Sequence, residues 1–134
     1  MEELKPLGEE EIRKRFARLE AGWEIEEEKR IKRVFIFKTF RESIEFIMRI
    51  ADIAEKENHY PEIHIKYAQV MLELTTEKVN GLSEIDFDLA RQIDFVYGWK
   101  TVVERFIFSQ ILSLKVLVII TIILLAILIW KRYF

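Results

Sequence analysis

The chain has 134 residues, no cysteine and a formal net charge of −2. That length holds one domain plus one further element. The absence of thiols excludes disulfides, thiolate metal sites and cysteine nucleophiles, and no block of basic residues interleaved with aromatics offers a surface for nucleic acid. Hydrophobic residues make up 51% of the chain and charged residues 33%, and the two kinds are segregated: nearly all the charge lies at or before Arg105, and the stretch beyond it is apolar. The start, Met1-Glu2-Glu3-Leu4-Lys5, is acidic and leads into no apolar run, so no secretory signal is expected.

In chain order, Glu9 to Leu19 places Ile12, Phe16 and Leu19 at helical spacing, with charges between them. Gly22 is a plausible stop for that helix. Trp23 to Glu27 alternates apolar and polar residues as a short strand does, and Arg30 to Lys38 is rich in β-branched and aromatic residues and reads as a second strand. Thr39-Phe40-Arg41-Glu42 has the form of a capping box. It opens a helix over Phe40 to Glu57 whose apolar face is expected at Ile44, Ile47, Met48, Ala51 and Ala54. Asn58 can close that helix in the left-handed conformation.

Ile63, Ile65 and Tyr67 alternate with His64 and Lys66 to make a third strand. Val70, Leu72 and Leu74 make a fourth, with a tight hairpin expected at Ala68-Gln69. Asn80-Gly81 is a turn signal, and Ser83-Glu84-Ile85-Asp86 is a second capping box, opening a helix that carries Ile85, Leu89, Ile93 and Val96. Gly98 marks a joint. The order α-β-β-α-β-β-α predicts an α+β fold, a four-stranded antiparallel sheet with helices on one face.

From Phe106 to Trp130 the sequence is apolar apart from Ser109, Gln110, Ser113, Lys115 and Thr121. Its length exceeds the ~20 residues that span a ~30 Å hydrocarbon core, so one transmembrane helix is expected to follow the domain. Lys115 can snorkel to the interface, and Trp130, Lys131, Arg132 and Tyr133 suit the headgroup layer. The alternative, a buried core helix, would need a large partner to cover every face of it. Basic residues flank both ends of the span, so orientation rests on chain order: the upstream domain emerges first and folds in the cytosol. The expected organisation is an N-terminal extension (1–8), a domain (9–97), a joint (98–105), a membrane helix (106–130) and a basic and aromatic tail (131–134). The expected location is a single-pass membrane protein with its N-terminal domain facing the cytoplasm.

Two segments carry chemistry. Glu55-Lys56-Glu57-Asn58-His59-Tyr60-Pro61 lies at a helix-to-strand junction and is followed by Tyr67, and Gly81-Leu82-Ser83-Glu84-Ile85-Asp86 opens the last helix. Read as residues alone, His59 is a turn histidine before a proline, Asp86 is the reciprocal member of a capping box, and Glu77 and His64 are solvated. The order and spacing of Glu55, His59, Pro61, Tyr67 and Asp86, with Gly22-Trp23-Glu24 and Phe35 to Phe40, resemble the pterin-4a-carbinolamine dehydratase family over residues 9 to 95. Two positions depart from its pattern: Tyr60 stands where the family has His or Asn, and Glu77 where it has His or Trp.

The resemblance implies dehydration of 4a-hydroxytetrahydrobiopterin to quinonoid dihydropterin by acid/base chemistry in tetrahydrobiopterin recycling, with no metal and no cofactor. It makes His59 the leading acid/base, with Asp86 orienting or neutralising it and Glu77 a replacement base. Tyr60, Pro61 and Glu55 become substrate-binding positions. It also implies a homo-oligomer, dimer or tetramer, with a pterin substrate. The competing reading, from the two altered positions, is a catalytically weakened scaffold or assembly module anchored at the membrane. No Gly-rich phosphate loop, paired-His spacing or Ser/His/Asp order supports a third.

Overall fold

The computed structural model describes residues 4–133. Its elements run α1 (Glu9–Phe16), β1 (Trp23–Glu26), β2 (Arg30–Ile36), α2 (Phe40–Glu57), β3 (Glu62–Lys66), β4 (Gln69–Leu74), a 3-10 turn (Glu77–Val79) and α3 (Glu84–Tyr133). The four strands form one antiparallel sheet in the order β1-β2-β4-β3. Contacts divide the chain after Tyr97 into two compact units, and the first holds the sheet.

Several boundaries fall earlier than the sequence pattern suggests, each for a local reason. α1 stops at Phe16 because the next amides, Arg18 and Leu19, tighten to carbonyls three residues back. β1 stops at Glu26 because Glu27 and Glu28 both take left-handed φ values, 49° and 55°, as a hairpin turn matched to strand twist requires. The β3–β4 hairpin turns at Tyr67-Ala68 rather than Ala68-Gln69, since Lys66 pairs with Gln69 and Tyr67 takes φ 53°. α2 behaves as its capping signals say: Thr39 accepts from the Glu42 amide at 3.2 Å and Asn58 closes the helix at φ 49°, ψ 38°.

The buried face of α2 is the expected one only in part: Ala54 is buried and Ile47 packs against the core. Ser43, Phe46, Ile50 and Ala54 face the core, whereas Ile44, Met48 and Ala51 are exposed. α2 carries two apolar stripes, and sequence periodicity cannot say which one meets the sheet. The core joins Trp23, Ile31, Phe35, Val70, Leu72 and Leu74 of the sheet to Phe46 and Ile50 of α2 and to Phe87, Leu89, Ala90 and Ile93 of α3. At its centre the Phe35 ring lies 5.0 Å from both the Phe46 and the Tyr97 rings.

The transmembrane element of the expected fold class is corrected. Among the described residues, no helix is long and apolar enough to cross a membrane. Residues 106–130 are not an element of their own but the distal part of α3. That part includes Ser109, Gln110, Ser113, Lys115 and Thr121. The side chains of Phe108, Ala126 and Leu128, and those of the expected interfacial anchors Trp130, Lys131, Arg132 and Tyr133, lie outside what the structure describes.

One buried ionic cluster ties α3 to β1 and β2. The Asp94 carboxylate accepts from the Trp23 indole at 2.9 and 3.0 Å, from the Glu20 amide at 3.2 Å and from the Arg33 guanidinium. Gly22, at φ 104°, lets the chain pass close to Arg33, where a Cβ would meet Nε at 3.3 Å. Burial pushes the Asp94 carboxyl up, against the lowering pull of Trp23, Arg33 and the Glu20 amide. Replacing Asp94 with Ala strands the Arg33 charge and the indole N–H, and an equilibrium denaturation should register a loss of about 3–5 kcal/mol. The pH dependence has a definite sign. The folded state holds the Asp94 proton to higher pH than the unfolded state, so this group's contribution falls as pH rises from the ordinary carboxylate range through its raised folded value. Asp94→Asn should remove that decline from a pH series of melting curves.

Candidate functional site

The site forms where three chain reversals meet at the end of α2. Asn58 in the left-handed conformation turns the chain out of the helix, and the His59 amide donates back to the Ala54 carbonyl at 3.1 Å. That closure buries the imidazole, leaving His59 9% exposed, while Pro61 leads into β3. After β4, Thr76 forms a bridge with Gly81 around the 3-10 turn, whose end at Asn80 is also left-handed, φ 51°. α3 then begins with Asp86 in its first turn.

Asp86 is completely buried, and each of its oxygens has a defined use. Oδ1 lies 2.7 Å from His59 Nε2. Oδ2 accepts from Thr76 Oγ1 at 2.7 Å and from the Ser83 amide at 2.8 Å. Ser83 Oγ completes the cluster, 2.7 Å from Thr76 Oγ1. Capping and pairing with the histidine, which the sequence posed as alternatives for Asp86, are therefore simultaneous, one through each oxygen. A carboxylate oxygen accepts, so the pair is satisfied by Nε2–H of His59 donating to Asp86.

His59 lies on a cleft of about 370 Å³, lined also by Leu4, Asn58, Tyr60, Glu62, Glu73, Thr75, Thr76, Glu77, Lys78 and Ile85. The volume is of the size that takes a small molecule, roughly 300–1,000 Å³. Of the six expected site residues, the structure brings His59, Tyr60 and Glu77 to the cleft and Asp86 behind it. Glu77 and Tyr60 are exposed on its wall. Glu55 and Pro61 are not among the lining residues. Glu55 meets the site only by accepting from the Tyr60 hydroxyl at 3.4 Å, and half-buried Pro61 shapes the turn. Tyr67 is 80% exposed in its hairpin and lies off the cleft.

Sequence reasoning missed Thr76 and Glu73. Thr76 looks like any polar strand end, yet it is 4% exposed and holds both Asp86 and Ser83. Glu73 sits in a pattern of alternating strand residues that normally places a carboxylate in water, yet it is 9% exposed and paired with Arg30. Among the described residues, no group of three His, Asp or Glu side chains is arranged to hold a metal ion.

Residues 5–96 match the family described as Pterin 4 alpha carbinolamine dehydratase. Among relatives, a candidate pterin-4-alpha-carbinolamine dehydratase of Rubrobacter xylanophilus is 38% identical over 91 residues, covering 68% of this chain and 84% of that protein. One of Sulfolobus acidocaldarius is 42% identical over 88 residues, 66% of this chain and 94% of that one. Among solved structures, a transcriptional coactivator/pterin dehydratase from Brucella melitensis superposes with TM-score 0.65 at 32% identity, over 69% of this chain and 98% of that one. A pterin dehydratase-like protein identified as a RuBisCO assembly factor in the alpha-carboxysome shares the fold, with TM-score 0.51 at 19% identity, over 57% of this chain and 90% of that one.

Asp86 can be tested as the keystone of this site independently of any reaction. Asp86→Ala leaves the His59 ring N–H, the Thr76 hydroxyl and the Ser83 amide without their acceptor, each loss being of the order of 1–3 kcal/mol. A thermal melt should show a larger drop for Asp86→Ala than for His59→Ala, which removes one of the three donors. Equal drops would mean that the cap and the threonine contribute nothing.

Proposed function

The chain belongs to the pterin 4 alpha carbinolamine dehydratase family, and on that premise we propose that it dehydrates 4a-hydroxytetrahydrobiopterin to quinonoid dihydropterin. The observation that carries this reading is the His59–Asp86 pair at 2.7 Å on the wall of a ligand-sized cleft. In the reaction the C4a–O bond breaks, the hydroxyl leaves as water after gaining a proton, and N5 loses its proton as the C4a=N5 bond forms. One group must give a proton and another must take one. With Nε2–H committed to Asp86, His59 works through Nδ1, and an imidazole is suited to the task because its ordinary pKa lies near neutrality. Glu77, on the same cleft, is the second proton-transfer group, and Asp86 is a positioning residue. Tyr60 offers a phenol edge or ring face to the pterin, Glu55 orients that phenol, and Pro61 fixes the turn that presents it.

The full chain should be assayed with a freshly generated 4a-hydroxypterin, following the ultraviolet change on dehydration. His59→Ala should lower the rate by about 10²–10⁴, the usual worth of one general acid or base. Glu77→Gln keeps the shape without the ionisable group and should give a smaller loss, and Tyr60→His with Glu77→His should raise the rate. A competing reading, a dehydratase-like scaffold without turnover, takes its support from the same two altered positions, Tyr60 and Glu77, both on the cleft. An inactive wild type with activity gained in the double variant would select the scaffold.

The proposed active form is a homo-oligomer. β3 is an edge strand with Ile63 and Ile65 exposed, and bare edges invite pairing. Its sequence, Glu62-Ile63-His64-Ile65-Lys66, is self-complementary when two copies pair antiparallel about His64. Glu62 then faces Lys66 of a second copy, and Ile63 faces Ile65. Sedimentation at roughly tens of micromolar should find a dimer or larger species, and Ile65→Pro, which removes a ladder donor, should weaken it. A monomeric wild type would overturn this assembly.

A further inference from the structure

The acid/base pair accounts for one wall of the cleft and leaves Glu73 unexplained. Glu73 lies on β4, with Lys32 opposite it on β2 and Glu62 opposite it on β3. Two carboxylates directly across an antiparallel pair repel one another, and both of these line the cleft. Glu62 is exposed and pairs with His64 at 2.7 Å. Glu73 is held differently: its side chain is 10% exposed, and the Arg30 guanidinium binds Oε1. An ionised carboxylate has about four acceptor positions, and a single guanidinium contact leaves most of them open. The result is an oriented, nearly buried acceptor beside the cleft, next to a second carboxylate.

We propose that Glu73 is the specificity-determining residue of the cleft, accepting the N3–H and 2-amino N–H of a pterin. These two parallel donors form the cyclic guanidine edge of the ring, the same planar fork that an arginine presents to a carboxylate. The inference rests on the pterin reading above and deepens it. His59 addresses the reacting side of the ligand, whereas Glu73 selects for the amino-pyrimidine edge, where no bond changes. A ligand carrying C2=O in place of C2–NH₂ sets an acceptor against the carboxylate and is rejected. Arg30 is a positioning residue, fixing the carboxylate without touching the ligand.

The test is equilibrium binding of two unreactive probes to the full chain, 7,8-dihydropterin and its 2-oxo counterpart, 7,8-dihydrolumazine, by fluorescence or calorimetry. Wild type should prefer the 2-amino probe by about tenfold or more, the worth of a hydrogen bond to a charged group. Glu73→Gln, whose amide can both donate and accept, should erase or reverse the preference, while the affinity for dihydrolumazine holds or rises. Glu73→Asp keeps the charge but draws it back by one methylene, and should keep the direction of preference at reduced size. A preference unchanged in Glu73→Gln overturns the assignment while leaving the pterin reading intact. A wild type that binds neither probe overturns both. If Glu73→Gln does not fold, 3-methyl-7,8-dihydropterin decides on wild type alone: binding equal to that of dihydropterin shows that the N3–H donor is not read and removes the proposal.

Discussion

Everything at the cleft depends on a fully buried carboxylate with all of its neighbours supplied. Asp86 has no access to water, and a buried charge without partners is among the least tolerable features a fold can contain. Its partners come from three separate places: His59 after α2, Thr76 after β4, and Ser83 at the start of α3. Bringing them to one carboxylate sets the spacing between two helices and the end of a strand. The orientation of the histidine is therefore a by-product of satisfying the cap, and the site is as rigid as the joint it belongs to.

A second buried carboxylate, Asp94, lies two turns further along α3 and does similar work with different partners. It gathers Trp23 of β1, Arg33 of β2 and the Glu20 amide. The sheet is thus tied to α3 from the β1 side by Asp94, and the end of β4 is tied to it by Asp86. Between them Phe87, Ala90 and Ile93 pack into the core. One segment of α3, read at a spacing of eight residues, supplies both polar locks and the apolar contacts between them.

The two positions that depart from the family pattern, Tyr60 and Glu77, are exposed on the cleft; of the positions that match it, His59 and Asp86 are buried, whereas Glu55 and Tyr67 are exposed. Glu73 is an intermediate case. It lies on the cleft side of the sheet, yet it is nearly buried because Arg30 and its cross-strand neighbours enclose it. Carboxylates on this wall, Glu62, Glu73 and Glu77, make it an acceptor-rich surface, complementary to a ligand rich in N–H donors.

The order of elements and the caps at Thr39 and Asn58 were legible in the chain, because they rest on period and turn chemistry, whereas the link between His59 and Asp86, 27 residues apart, came only from the family resemblance. Which stripe of α2 faces the sheet was not legible: Ile44 and Met48 are as apolar and as regularly spaced as Phe46 and Ile50, and only packing against β4 and α3 chooses between them. The same holds for the distal part of α3, where composition suggested a membrane span that the described helix does not provide. Burial of Glu73 and Thr76 was equally hidden, since the water-accessible area of a strand residue is set by neighbours distant in sequence. Local pattern was enough to say what each segment could form, and the resemblance to a family was needed to join one histidine to one aspartate. Only the tertiary structure decided which faces are covered and which carboxylates lose their water, because covering a surface is a property of the elements that meet there and not of the segment that bears it.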